Sequence, residues 1–143
     1  MKNIIDKRLA LFFLVALISL IASCSLMKST KPSEIAVEKF HSQYNQKQFS
    51  EIYNQADEKF KNSATEEQFL ALFENLYKKL GTVKQSSQVQ WNVNATTSGT
   101  FVTLTYDVEF SEGKGMEQFV YLTNGDKSAL YNYNVNSPLL IAK

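Results

Sequence analysis

One cysteine, one histidine and one tryptophan are all that 143 residues hold of those types, and Arg8 is the only arginine. Each scarcity excludes something. A lone Cys24 and a lone His41 leave no zinc site of the multiple Cys/His kind, and a single cysteine cannot close a disulfide within the chain. Beyond residue 8 every cation is a lysine. The planar guanidinium forks that dominate recognition of phosphates and base edges are therefore missing, and no basic stripe replaces them, so nucleic acid is not an expected partner. Long apolar runs are missing too. The longest, Leu9 to Ile21, is too short for an ordinary membrane span.

That run is instead framed as an export signal. Lys2, Lys7 and Arg8 precede it, and Leu20-Ile21-Ala22-Ser23-Cys24 closes it with a branched residue, two small ones and the cysteine. The stretch resembles the lipobox of bacterial lipoproteins. The resemblance implies cleavage between Ser23 and Cys24, diacylglycerol on the Cys24 thiol and usually a further acyl chain on the new amine. Two or three chains hold firmly where one does not, at about 0.8 kcal/mol for each buried methylene. The expected address is the bacterial cell envelope, the protein being anchored to a membrane by lipid. Ser25 after the cysteine leans towards an outer membrane facing the periplasm, if the host has one.

The expected organisation is a signal peptide over residues 1–23, a lipidated cysteine with a polar tether over 24–33, and one domain over 34–143. Ser33 is expected to cap a helix whose apolar face carries Val37, Phe40, His41 and Tyr44. Asn45-Gln46-Lys47-Gln48 breaks it. A second helix aligns Phe49, Ile52, Tyr53, Ala56 and Phe60. The third starts at a Thr65/Gln68 capping box, aligns Phe69, Leu72, Phe73, Leu76, Tyr77 and Leu80, and stops at Gly81.

After Gly81 the apolar period becomes two. Val83, Val89, Trp91 and Val93 share one phase of a strand. Val102, Leu104, Tyr106, Val108 and Phe110 alternate with Thr103, Thr105, Asp107 and Glu109 in the next. A third strand follows over residues 116–123, with Asn124-Gly125 as a hairpin signal, and a fourth over 129–135. Helices first and a meander afterwards give an α+β domain: three N-terminal helices packed on a curved four-stranded antiparallel sheet.

Phe40-His41-Ser42-Gln43-Tyr44, Phe49-Ser50-Glu51-Ile52-Tyr53, Glu67-Gln68-Phe69, Lys79-Leu80-Gly81 and Trp91-Asn92-Val93-Asn94 follow this order. So do Thr103-Leu104-Thr105-Tyr106, Glu117-Gln118-Phe119-Val120 and Tyr133-Asn134-Val135-Asn136-Ser137. The whole resembles the cone-shaped domains of the nuclear transport factor 2-like (cystatin-like) superfamily. More narrowly, it resembles small bacterial lipoproteins catalogued as domains of unknown function. Such motifs are mostly packing and turn residues, so the resemblance speaks for fold rather than activity.

Enzymes of that superfamily set an acid, or an Asp/His pair, inside an apolar cone. Here Asp107 and Glu109 sit in the polar phase and read as a solvated sheet face. Glu117 lies on a strand with apolar residues in both phases and reads as structural or rim-exposed. His41 reads as a histidine at the core edge, since no second His, Asp or Glu shares its stripe. No catalytic residue, metal or cofactor is expected. The tyrosines and Trp91 either fill the core or line a pocket, with His41, Tyr44, Tyr53, Trp91 and Tyr106 as the candidate lining. The expected function is non-enzymatic binding of a small apolar ligand or an envelope protein. The alternatives are an accessory subunit without a ligand of its own and, last, a lyase or isomerase of the cone type acting through His41 or Glu117.

Overall fold

The computed structural model describes residues 30–141. The expected signal peptide over 1–23, with Ser23 and the lipid-attachment residue Cys24, lies outside the described residues. Residues 32–143 form a unit separate from 1–31. The described elements are a helix α1 over residues 30–45, α2 (Phe49–Gln55), α3 (Glu58–Lys61), α4 (Glu66–Leu80), β1 (Val83–Thr96), β2 (Gly99–Phe110), β3 (Lys114–Asn124), β4 (Lys127–Asn136) and α5 (Pro138–Ile141). The α+β class holds, with a four-stranded antiparallel sheet in the order β1-β2-β3-β4.

The helical half differs from expectation in three places. Ser33 is no cap, because residues 30–32 before it are already helical, as are the last residues of the expected tether. It is fully buried, and its Oγ sits 3.1 Å from Thr123 Oγ1 and 2.8 Å from Ser128 Oγ. The expected second helix is two. Ala56 leaves helical geometry at ψ 163, and Asp57 caps α3 by accepting from the Lys59 amide at 2.9 Å. A short side-chain acceptor at this point satisfies an amide that a continuing helix would use, so the helix restarts. Finally, Leu72 is 54% exposed, on the flank of the α4 stripe rather than in it.

The rest of α4 follows the sequence. Thr65 and Gln68 form the capping box, and Phe69, Phe73, Leu76 and Leu80 are buried. Gly81 ends the helix at φ 73, where a Cβ would meet Ser111 Oγ at 1.8 Å. Only glycine fits that corner.

On the sheet, Val102, Leu104, Tyr106, Val108 and Phe110 are buried against the helices, while Asp107 and Glu109 are exposed on the outer face. In β3 the inward phase is Glu117, Phe119, Tyr121 and Thr123. The core is aromatic. Phe40 meets Phe119 edge-on at 5.0 Å and Phe73 at 5.9 Å, and Phe69 stacks on Phe73 at 4.1 Å. Such pairs contribute about 0.5–1.5 kcal/mol each beyond their buried area. The short α5 adds a helix beyond the three expected, and Ser137-Pro138 starts it: the Ser137 hydroxyl accepts from the Leu139 amide at 3.3 Å.

Candidate functional site

Two features compete as sites: a polar cluster inside the fold and a hollow outside the sheet. The inner cluster begins with His41, which α1 presents on the face shared with Val37, Phe40 and Tyr44. Its Nε2 lies 2.6 Å from Oε2 of Glu117, which comes from β3. The other Glu117 oxygen accepts from the Tyr133 hydroxyl of β4 at 2.6 Å. Three elements thus converge on one carboxylate.

Of the two readings of Glu117, structural or rim-exposed, the burial excludes the second. Glu117 is 1% exposed and His41 is 8% exposed, with the imidazole packed edge-on against Phe40, Tyr106 and Phe119. The signal was present in β3, where Glu117 stands two and four residues from Phe119 and Tyr121. That spacing sets it on the buried face. What hid it was the run of apolar residues in the opposite phase, Met116, Val120 and Leu122, which face outward. His41 finds its partner across the fold, so a search along its own helix could not find it.

Burial raises the pKa of the phenols near the cluster. Tyr133 is raised well above the ordinary tyrosine value, first by burial and then by the Glu117 charge and hydrogen bond. Tyr44 is also raised, by burial, then by Glu117 and Tyr77, and its buried hydroxyl has no hydrogen-bond partner among the described residues. Burial, with Glu34 and Glu38 behind it, pushes Tyr106 up to about 12. All three phenols are thus held neutral.

The five residues expected to line a pocket do not surround one space. Tyr44 is packed into the core beside Phe49, Phe73 and Tyr77. Tyr53 faces α4, where it packs on Phe69 and donates to the carbonyls of Lys61 and Ala64. Tyr106 is buried and donates to Gln88 at 3.2 Å. Trp91 pairs with Leu104 on the inner face, but on the edge strand, where it remains 47% exposed. Of the five, His41 and Tyr106 are in ring contact, at 6.3 Å between centroids. A crevice of about 80 Å³ between α1, α2 and the β3–β4 hairpin is lined by Phe40, Ile52, Tyr121 and Leu130. That is well below the ~300 Å³ at which small-molecule pockets begin.

The larger hollow, about 510 Å³, opens on the outer face of the sheet. Met116 and Pro138 supply apolar surface, and Asp107, Glu109 and Lys114 supply charge. Register explains the grouping, since Asp107 pairs with Ser87 and Met116, and Glu109 with Gln85 and Lys114. Among the described residues the two carboxylates and the Lys114 ammonium carry no ion pair. Asp107 and Glu109 belong to the solvated face expected of them, whereas Lys114, Met116 and Pro138 did not emerge from the sequence reading. Among the described residues no three His, Cys, Asp or Glu side chains gather as a metal would require.

No curated protein matches the chain. A family model described as protein of unknown function, DUF3887, matches residues 37–128, from the buried face of α1 to the start of β4. That is more than half of the sequence, and the chain belongs to the DUF3887 family of proteins of unknown function.

Proposed function

We propose that this protein is a lipid-anchored, non-enzymatic lipoprotein of the bacterial envelope whose domain, of the nuclear transport factor 2-like type, binds a protein partner on the outer face of its sheet. The observation that carries the reading is the contrast between a filled interior and the open hollow across β1–β3. Phe40, Phe73, Phe119 and Tyr44 are 4% exposed or less, which leaves a small apolar ligand little room inside. The hollow offers apolar surface beside two carboxylates and one ammonium that carry no ion pair among the described residues. Its chemistry suits a polypeptide segment with a lysine or arginine next to an apolar side chain.

A second reading, a lyase or isomerase, draws on the 2.6 Å contact of His41 with Glu117 in apolar surroundings. Against it, both carboxylate oxygens are engaged and Glu117 is 1% exposed, so a substrate has no approach without moving the aromatic core.

Photocrosslinking in intact cells tests the main reading. A crosslinking amino acid replacing Met116 should give one discrete protein adduct that Asp107→Lys with Glu109→Lys abolishes. The same amino acid at Leu72, also exposed but on α4, should give none. Equal adducts from both positions, or an adduct indifferent to the charge reversals, would refute the outer-face site.

A further inference from the structure

The two edges of the sheet are closed very differently. At β4 the Leu130 carbonyl accepts from the Asp57 amide at 2.9 Å, and α3 lies against the same strand. At β1 only the first residue is closed: Asn45 accepts from the Val83 amide at 2.8 Å and donates to its carbonyl at 2.9 Å. From Gln85 to Thr96 the main chain pairs with β2 and, among the described residues, with nothing on its other side.

Exposed edges normally carry lysines, prolines, inward charges or β-bulges that discourage a further strand from adding, and of these β1 beyond Gln85 has only a bulge at Val89. Between Gln85 and Thr96 there is no charged residue and no proline. One register shift, between Gln88 and Gln90, interrupts the ladder there. Val89 and Trp91, 53% and 47% exposed, stand on this same strand. An open, uncharged edge with two large apolar side chains is a surface for strand addition.

We infer that β1 receives the β1 strand of a second copy of this chain, antiparallel, about a two-fold axis on one of Gln90, Trp91 or Asn92. The strand complements itself. Each axis opposes two apolar side chains, Val89 and Trp91 about Gln90, Val89 and Val93 about Trp91, or Trp91 and Val93 about Asn92, and sets amide side chains opposite amides. Lys84, the one charge on β1, never meets its own copy. No like charges are opposed, whereas a strongly basic or acidic strand would find no counter-charge here. The result is an isologous dimer with one continuous sheet of two copies. This pairing is independent of the outer-face hollow, which can hold its partner whether or not the copies join.

The test is a cysteine scan in the full chain, extracted in mild detergent from its own cells. A two-fold axis places one residue beside its own copy. One of Gln90→Cys, Trp91→Cys and Asn92→Cys should therefore give a disulfide-linked dimer under mild oxidation, above the background set by the unaltered chain. Asn134→Cys on β4 should not. Val89→Lys with Trp91→Lys opposes like charges about Gln90 or Trp91, and sets lysines against Ala95 and Val93 about Asn92, so it should weaken self-association about tenfold or more by light scattering, with an unchanged circular dichroism spectrum. An unaltered chain that stays a single copy would overturn the inference. So would crosslinking from β4 as readily as from β1. Should the double lysine variant lose its fold, the cysteine scan decides alone.

Discussion

His41 Nε2 and Glu117 Oε2 meet at 2.6 Å although 76 residues separate them in the chain. The contact joins the first helix to the third strand through the middle of the aromatic core, and Tyr133 closes it from the fourth strand. A buried carboxylate with two partners is stable only while both remain, because each group left alone keeps its desolvation cost.

Glu117→Ala should therefore destabilise the fold by about 3–5 kcal/mol, most of it from His41 and Tyr133 left without a partner. Glu117→Gln, which keeps a polar group at both positions, should cost clearly less. Urea unfolding monitored by circular dichroism measures both. A cost below about 1 kcal/mol for the alanine variant would mean that the cluster carries little of the stability.

Legibility in the sequence follows the range of the signal. The α4 capping box, the Gly81 stop and the inward phase of β2 rest on residues at most a few positions apart, and the structure reproduces them. Glu117 and Ser33 depend on partners 76 and 90 residues away, which no periodicity announces. The exposure of Trp91 is illegible for a related reason. Its phase points inward, but burial depends on whether a helix covers that end of an edge strand. The outer hollow is farther still from sequence, since it arises from register across three strands.

Alkaline pH should unfold the protein through its buried phenols. Burial raises Tyr44, Tyr106, Tyr121 and Tyr133 above the ordinary value of 10.0. Below that pH both folded and unfolded chains keep these groups protonated, so they add no pH dependence. Above it the unfolded chain loses protons that the folded one retains, and stability falls as pH rises. The urea midpoint should be flat with respect to these groups up to about pH 10 and then decline, with a shallower decline in Tyr133→Phe. A midpoint that rises with pH in this window would contradict the assignment.

Asn45 clamps the start of β1 by bonding both main-chain groups of Val83. Asn45→Ala leaves two partly buried backbone groups unmatched and should cost about 1–3 kcal/mol. Hydrogen exchange should accelerate first at Val83 and its neighbours. Uniform acceleration across the sheet would show that the clamp is not local.

Lipid attachment at Cys24 has its own test. Cys24→Ala should leave the precursor unprocessed and the domain unlipidated, as read by intact mass and by labelling with a fatty-acid analogue. An acylated product from that variant would contradict the lipobox reading.

The central claim is that the interior is packed and that binding takes place on the outside of the sheet. Native mass spectrometry of the protein extracted gently from its own cells tests it most directly. The predicted spectrum shows polypeptide and covalent lipid alone, whether as one copy or two. A small apolar molecule that travels with the folded protein and is released on denaturation would contradict it, and would make the interior the binding site.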